Sequence, residues 1–456
     1  MVSPNTLVKN IIGVNSLSTD EAKLEINAAG VRHLVITVRL HKRVSGFCPI
    51  CGRKCSGYDS PQRKPFKRLS RWRAPDWNGV IVELECSRQR ICCPEHGVLF
   101  EAVPWAFCGS RFTKDFDRIA AWMAREMPRS TVAALLRISW ATVGRCVSRV
   151  KHELEPDPHV RFNNLVRIGI DETSYRKGHK YMTVVVNHDT GEVVWATQKH
   201  GKEVLQAFLK MLTPEQRNSI RVVTGDGARW ITDCVKEYLP NCERCVDPFH
   251  VVEWGNEALD EVRRQAYRDA EQKLKDLRQD CPKKRGRPVK DAEPTAADEA
   301  EKRVKALKGA KYALGKAPEH LTASQSARLE VIMVDDNRLF RAYRMKEKLR
   351  LLLKLPDVEQ AEEELNSWLW WASHSRIPVF HDLYEKIKRH KEHILNTIRH
   401  GLSNARVEAV NNKIKLIIRK AYGFRNIENM LDMVLLVCSN MVIPLPNRGI
   451  RNAQCF

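Results

Sequence analysis

The chain has 456 residues, too many for one compact core, so we expect two or three folded units. Its 77 lysine and arginine residues outnumber 55 acidic ones, giving a net charge of +22, which predicts a polyanionic partner; a basic surface kept only for solubility is the alternative. No apolar run approaches the ~20 residues that cross a bilayer, and we find no secretory signal at the start of the sequence. The 14 cysteines are scattered, so we expect a soluble cytoplasmic protein rather than a membrane protein or a disulfide-rich secreted one.

The first predicted element is a half-buried strand in VRHLVITVRL, where apolar and polar residues partly alternate. A basic stretch, PQRKPFKRLSRW, separates it from a second strand-like run, VIVELEC. Two short cysteine-containing turns, CPICG and CPEHG, flank these runs. The pattern predicts a β-rich N-terminal domain over residues 1–110.

The two cysteine-containing turns carry the ligand types that zinc prefers. Cys48 and Cys51 are separated by two residues, as are Cys93 and His96, and a glycine follows each pair. This spacing allows two pairs to reach one tetrahedral Zn²⁺, so we predict a zinc finger. Cys92 is an alternative to Cys93.

Helical periodicity begins at Thr113 and predicts a first helix that Pro128 ends. Ser130 is the expected cap of a second short helix, TVAALLR, and a third helix should start at about Trp140. Three helices with a tight second turn predict a helix-turn-helix domain over residues 111–155, with a purely structural bundle as the alternative. The residues of the third helix expected to contact DNA are Thr142, Arg145 and Arg149.

The remaining residues, 160–456, predict a mixed α/β domain. The runs VRIGIDETS, YMTVVVN, VVWATQ and IRVVTGDG are strand-like, and EVLQAFLKML between them is helical. A long helical insertion is expected at about residues 256–400, interrupted by KKRGRPVKDAEPTAADEA, which should be flexible. The tryptophan-rich run SWLWWASHS is expected in the core of that insertion.

Three acidic residues in this domain suggest metal chemistry. Asp171 follows the apolar run VRIGI and Asp226 follows IRVVTG, so each is expected at the end of a buried strand. One aspartate at a strand end can simply cap a turn, but two on adjacent strands, with Glu408 on a basic helix, favour a site for Mg²⁺ or Mn²⁺. Basic residues of the same helix expected near DNA phosphates are Lys413 and Lys415.

The motifs IGIDETS, VVTGDGARW, VDPFHVVEWGNEALDEVRR and NARVEAVNNKIKLIIRKAYGFRNIEN resemble the ISL-three family of bacterial insertion-sequence transposases over nearly the whole chain. The resemblance implies an RNase H-like catalytic domain with Asp171 and Asp226 as the first two acids and Glu408 as the third. It also implies an N-terminal zinc finger. His250, in DPFH, resembles a motif histidine that follows the second acid, although a partly buried structural histidine is the alternative.

The resemblance implies that the protein binds the terminal inverted repeats of a mobile element as double-stranded DNA, cleaves strands there and transfers them to target DNA. Two ends must be joined, so a homo-oligomer is expected, and no membrane partner is. A non-catalytic DNA-binding regulator or decayed transposase is the first alternative, and a nuclease that cuts without joining is the second.

Overall fold

The structure is a computed structural model that describes residue 6 and residues 16–59, 68–280, 295–335, 337–402 and 405–446. The chain divides into two compact units, the first comprising Met1–Val160 with Asn412–Phe456 and the second Arg161–Asn411. The segment after Asn411, which the sequence suggests belongs to the α/β domain, thus joins the first unit. Within the described residues, every helix is too short or too polar to span a membrane.

Seven strands open the first unit: β1 (Leu17–Ile26), β2 (Arg32–Leu40), β3 (Ser56–Gly57), β4 (Arg68–Trp77), β5 (Val80–Arg88), β6 (Arg90–Cys93) and β7 (Gly97–Phe100). One sheet has the order β1-β2-β5-β4, in which only the β2–β5 pair is parallel. Strands β3, β6 and β7 form a small antiparallel sheet. The larger sheet buries Trp72 against Trp105, with ring centroids 5.6 Å apart in an edge-to-face arrangement.

Three helices follow: α1 (Lys114–Glu126), α2 (Arg129–Leu136) and α3 (Trp140–Leu154). Thr113 caps α1 and Ser139 caps α3, each by accepting a backbone N–H. The prediction that Ser130 caps α2 is wrong, because Pro128 occupies the cap position and α2 begins at Arg129, one residue before Ser130. Helix α1 thus ends at Glu126, and Pro128 is the cap residue from which α2 starts.

The second unit is built on five strands: β8 (Arg167–Arg176), β9 (Lys180–Asn187), β10 (Val193–Gln198), β11 (Val222–Gly225) and β12 (Glu243–Val246). Their order is β10-β9-β8-β11-β12, with β8, β11 and β12 parallel and β9 and β10 antiparallel. The helices between the strands are α4 (Lys202–Met211), α5 (Pro214–Ser219) and α6 (Arg229–Tyr238). The mixed α/β sheet expected from the sequence is confirmed, and apolar side chains such as Ile168, Val185 and Phe208 form its core.

The predicted insertion consists of helices α7 (Pro248–Asp280), α8 (Ala296–Gly309), α9 (Lys311–Gly315), α10 (Ala323–Asp335), α11 (Asn337–Leu352), α12 (Val358–Ser373), α13 (Pro378–Arg389) and α14 (Lys391–His400). Trp368 lies in their shared core and donates its indole N–H to the Met345 carbonyl at 2.8 Å. Trp371 packs against that core, whereas Trp370 is exposed. Most of the segment expected to be flexible, from Lys283 onwards, lies outside the described residues.

Two further helices complete the fold, α15 (Ala405–Lys420) and α16 (Ile427–Cys438). Helix α15 contributes residues to both units. In the first unit, Met433 and Leu436 of α16 share a buried cluster with Val143 and Val147 of α3. The three helices of the predicted helix-turn-helix therefore have a fourth helix, α16, packed into their core.

Candidate active site

Asp171 and Asp226 lie at the same level of two adjacent parallel strands, Asp171 within β8 and Asp226 directly after β11. The expected strand-end position is therefore correct for Asp226 and wrong for Asp171, beyond which β8 continues to Arg176. In the pairing of β8 with β11, Gly169 is opposite Thr224. Each aspartate lies two residues beyond its member of that pair, at the carboxyl end of the sheet's parallel part. Carboxyl ends of parallel strands form the edge at which α/β folds place their ligands. The strand register thus brings together two acids that are far apart in the sequence.

A third aspartate extends this row. Gly225 of β11 is opposite Val246 of β12, so Asp247 follows its strand at the same level. The Asp247 backbone N–H donates to the Gly225 carbonyl at 3.0 Å, and its side chain accepts from the Phe249 backbone N–H at 3.0 Å. This side chain therefore accepts a backbone N–H of the first turn of α7. Its negative charge also disfavours ionisation of Asp171 and so raises the pKa of that residue.

The carboxylate of Asp171 is held from both sides. One oxygen accepts the backbone N–H of Glu172 at 2.7 Å, and the other accepts the side-chain amide of Asn411 at 2.5 Å. Burial raises the pKa of Asp171, and these two hydrogen bonds, with the nearby His250, partly oppose that rise. The result is an oriented carboxylate in a position where a charge is costly unless a cation is close.

The turn that carries Asp226 is held by a buried arginine. The Asp226 side chain accepts the Ala228 backbone N–H at 2.9 Å. Arg244 of β12 donates to the Asp226 carbonyl and, at 3.2 Å, to the Val223 carbonyl. Burial lowers the pKa of Arg244 to about 10, against the opposing charge of Asp226. The sequence analysis did not single out Arg244; its signal is a lone charged residue within the otherwise buried part of β12.

The same turn packs against the insertion. A Cβ atom on Gly227 would lie 2.3 Å from the Trp254 ring, so only glycine fits this contact. The ammonium of Lys386, on α13, lies 3.9 Å from the centroid of the same ring. Trp254 therefore links the Asp226 turn to a cation supplied by the insertion.

Helix α15 crosses the sheet at Gly169. Val407 is fully buried, and a Cβ atom on Gly169 would lie 2.6 Å from its Cγ2 atom. Asn411 is one turn further along the helix, where it bonds Asp171. Glu408 lies one turn before Asn411 and its side chain is exposed. The close contact at Gly169 thus sets the position of both Glu408 and Asn411. Sequence analysis did not identify Asn411.

His250 and Glu172 have different surroundings near this edge. His250 is partly exposed, and its Nδ1 atom lies 3.1 Å from a Glu253 carboxylate oxygen. Glu172 accepts the Gly201 backbone N–H at 3.0 Å and lies 3.5 Å from His200. The carboxylate of Glu172 is therefore bound by the loop that precedes α4. The ion pair of His250 with Glu253 uses the Nδ1 atom of the imidazole and not Nε2.

In the first unit, the predicted zinc ligands meet. The Sγ atoms of Cys51 and Cys93 are 3.7 Å apart, and the Nδ1 atom of His96 lies 3.8 Å from Cys48 and 3.5 Å from Cys93. A tetrahedral site with ~2.3 Å Zn–S bonds has ligand-to-ligand edges of about 3.7 Å, so the four atoms fit zinc. Within the described part of the chain, this is the one cluster of three or more candidate ligand residues close enough to share an ion, and the three predicted catalytic acids do not form another.

The structure distinguishes the two neighbouring cysteines of β6. Cys93 is buried in the cluster, whereas Cys92 is exposed, as alternation along a strand requires. Burial disfavours the Cys93 thiolate, but backbone N–H groups of Glu95 and His96 and the neighbouring thiols outweigh it and lower the pKa of Cys93 to about 7. Such a thiol is suited to metal binding.

The predicted DNA-contacting residues of α3 differ in accessibility. Arg145 is exposed and donates to the Thr142 hydroxyl at 3.0 Å, while Thr142 itself is buried and also contacts Ser139. Arg149 donates to both carboxylate oxygens of Asp117, at 2.8 and 2.7 Å, and Asp117 is fully buried. The guanidinium of Arg149 therefore joins α3 to α1, and Arg145 is the outward-facing cation. On α15, Lys413 and Lys415 are both exposed.

Comparison with known proteins matches the amino-acid sequence to transposases. A family model described as a transposase covers residues 168–434, and a model described as the helix-turn-helix domain of transposase family ISL3 covers residues 101–150. The chain is 42% identical over 445 residues to the transposase for insertion sequence element IS1557 of Mycobacterium tuberculosis, with 97% of each chain covered. It is 27% identical over 388 residues to the transposase for IS1001 of Bordetella parapertussis, covering 84% of this chain and 86% of the relative.

Proposed function

Because the chain belongs to the ISL3 family of transposases, we propose that it binds the terminal inverted repeats of an insertion sequence and catalyses metal-dependent strand cleavage and strand transfer there. The observation that carries this proposal is the level placement of Asp171 and Asp226 on adjacent parallel strands. Helix α15, which bears Glu408, packs against β8 at Gly169. The catalytic domain is proposed to be RNase H-like.

The proposed ligands for Mg²⁺ or Mn²⁺ are Asp171, Asp226 and Glu408. Oxygen donors of this kind suit hard divalent cations, and a cation would stabilise the charge of the partly buried Asp171, whose pKa burial raises. When bound, the metal would activate the attacking oxygen and stabilise the leaving oxygen of an in-line phosphoryl displacement.

Neighbouring residues are proposed to position these acids. Asn411 orients the Asp171 carboxylate through its amide, and Arg244 holds the backbone of the Asp226 turn. His250 faces Asp171 closely enough to affect its ionisation and has Nδ1 engaged by Glu253, so Nε2 is the atom proposed to contact the scissile strand or carry a proton.

DNA recognition is proposed for the first unit. Zn²⁺ held by Cys48, Cys51, Cys93 and His96 would fix the small sheet in a closed structural site. Arg145 of α3 is the proposed base or phosphate contact, with Thr142 orienting it. Basic residues proposed to contact phosphates are Lys413 and Lys415.

We also propose an oligomeric form and a cellular location for the reaction. Joining both ends of an element requires that two active sites act together, so the working form is a homo-oligomer. The substrate is double-stranded chromosomal and element DNA, which places the reaction in the cytoplasm at the nucleoid.

The test is a cleavage and strand-transfer assay with the full chain, end DNA of its own element, and Mg²⁺ or Mn²⁺. Wild type should yield joined products, and Asp226→Asn should yield none, since the amide cannot supply the negative charge. Asp233→Asn is the matched control, because Asp233 is exposed on α6 and outside the strand-end row.

Three outcomes decide between the candidate functions. Binding of end DNA without cleavage under either metal supports the regulator or decayed-transposase alternative. Cleavage without joined products supports a nuclease. Equal cleavage by Asp226→Asn and wild type would show that the acids are assigned incorrectly.

A further inference from the structure

The hairpin between β4 and β5 ends in a tightly defined tip. Trp77 is opposite Val80 in the register, so the turn consists of only Asn78 and Gly79. Both turn residues have positive φ, 48° and 78°, the conformation in which an Asn-Gly pair closes a two-residue hairpin. This turn type matches the twist of the flanking strands, so the tip is a stiff projection rather than a loose loop.

The tip is fastened to the turn of the helix-turn-helix. Arg137, the last residue before the turn into α3, donates to the Gly79 carbonyl at 3.3 Å and also to the Asp76 carboxylate. Arg73 donates to both Asp76 oxygens, at 2.9 and 3.0 Å, and to the Arg137 carbonyl at 3.3 Å. Two arginines and one aspartate therefore join the hairpin to the helices through both side chains and backbone.

This contact places the tip beside the first turn of α3. The exposed positions of α3 are Ala141, Arg145 and His152, spaced one and then two turns apart, so they lie on one outer face along the helix. The hairpin tip borders the amino-terminal end of that face, because Arg137 precedes α3 by only a few residues. In helix-turn-helix proteins it is this end of the third helix that approaches base edges.

The tip presents an exposed aromatic side chain that is not part of the buried cluster of its sheet. Trp77 is 57% exposed although it is the largest side chain type. Around it, the charges of Arg73 and Arg137 outweigh that of Asp76, so the tip does not repel phosphate. Exposure of a large aromatic side chain to water is unfavourable, whereas the wall of a DNA groove would cover it. A rigid, weakly cationic projection is suited to such a contact.

We propose that the β4–β5 hairpin is a wing: a second DNA-contacting element that inserts Trp77 into the minor groove flanking the segment read by α3. This rests on the proposed function only in that the duplex is element-end DNA. The Arg73–Asp76–Arg137 network positions the wing, and Trp77 makes the contact. The DNA footprint of the first unit thus extends beyond the helix-turn-helix, to one side.

The test measures binding of full-length protein to duplex end DNA and its hydroxyl-radical footprint. Trp77→Ala should weaken binding about tenfold, equivalent to ~1.4 kcal/mol, and remove protection only on the flank, about half a helical turn (~5 bp) from the centre of the α3 site. Trp77→Phe should restore most of the affinity. A photo-crosslinking amino acid placed at position 77 should form adducts at that same flank.

The matched control is Leu24→Ala, since Leu24 is 61% exposed on β1, the opposite edge strand of the same sheet. Arg145→Ala should weaken the whole footprint. If wild type and Arg145→Ala behave as expected but Trp77→Ala binds like Leu24→Ala with an unchanged footprint, the wing is refuted and the proposed function stands. If wild type fails to bind end DNA, both are refuted. A change in oligomeric mass without a footprint change would also overturn the wing, in favour of a contact between copies.

Discussion

Gly169 is a position at which a single methyl group should disturb the candidate active site. In Gly169→Ala, the added Cβ would lie 2.6 Å from Val407 Cγ2 and 2.8 Å from His188 Nε2. Ordinary carbon contacts are about 3.5–4.0 Å, so α15 would have to move away by about 1 Å. Val407 and His188 are both buried, which leaves little room for them to give.

The expected cost is that of overpacking, ~1–3 kcal/mol, which corresponds to a fall of ~3–10 °C in Tm for a unit of this size. Cleavage should fall more steeply than stability, because Glu408 and Asn411 move with the helix and a ~1 Å misplacement can cost about a hundredfold in rate. The assays are thermal unfolding followed by circular dichroism and the cleavage rate under single-turnover conditions.

Two further variants test whether these losses come from the contact between Gly169 and Val407. Gly315→Ala is the matched control, since Gly315 is in a helix with open space around its Cβ position and should lose neither stability nor activity. Adding Val407→Ala to Gly169→Ala should recover part of both losses by making room for the methyl group. Wild-type Tm and cleavage in Gly169→Ala would refute the close packing of α15 on β8, as would a double variant worse than the sum of the two single ones.

Three further predictions concern the buried histidine beside the sheet, the zinc cluster and the helix-turn-helix. Burial and then Arg406 lower the pKa of His188 to about 4. Since the unfolded chain binds this proton near pH 6.5, His188 should account for a loss of up to ~3 kcal/mol of stability from pH 6.5 to pH 4, and His188→Gln should make the pH dependence measured by urea denaturation less steep there. Cys93→Ser should abolish zinc measured by elemental analysis, whereas Cys92→Ser should retain one ion per chain, and equal loss in both would contradict the assignment. Arg149→Ala should lower the free energy of unfolding by ~3–5 kcal/mol, because it leaves the buried carboxylate of Asp117 without its ion-pair partner. Arg145→Ala should leave Tm unchanged and weaken DNA binding. The reverse pattern would contradict the assigned roles.

Local sequence patterns predicted several parts of the site well. The apolar run before Asp226 indicated that this acid follows a buried strand, and the structure has it directly after β11. The same prediction was wrong for Asp171, which lies within β8 just after the buried residues Ile168–Ile170, because the strand continues to Arg176 in its pairing with β9. The two cysteine-containing turns predicted a four-residue cluster, which the structure brings together. In each case the information lies within a few neighbouring residues, because strand burial and knuckle geometry are set by short-range spacing.

Other features were not predictable because they depend on partners distant in the chain. Strand β1, for example, is mostly exposed and polar, so it lacks the alternation that reveals a half-buried strand. Arg149 lies on the polar side of α3, where the helix pattern suggests DNA contact, yet its guanidinium is hydrogen-bonded to Asp117 on α1. Periodicity shows which face of a helix is polar, but it cannot show what that face meets.

The sequence by itself determined the chemical groups that this protein offers: the candidate acids, the zinc-type ligands, the basic character and the order of most of the strands and helices. Only the tertiary structure decided the geometry that makes the chemistry usable. It aligned Asp171 with Asp226 through the β8–β11 register, seated α15 on Gly169, and fastened the β4–β5 hairpin to the helix-turn-helix. The physical reason is that register and close packing are properties of pairs of segments, set by complementary shapes and buried polar groups that no single segment contains.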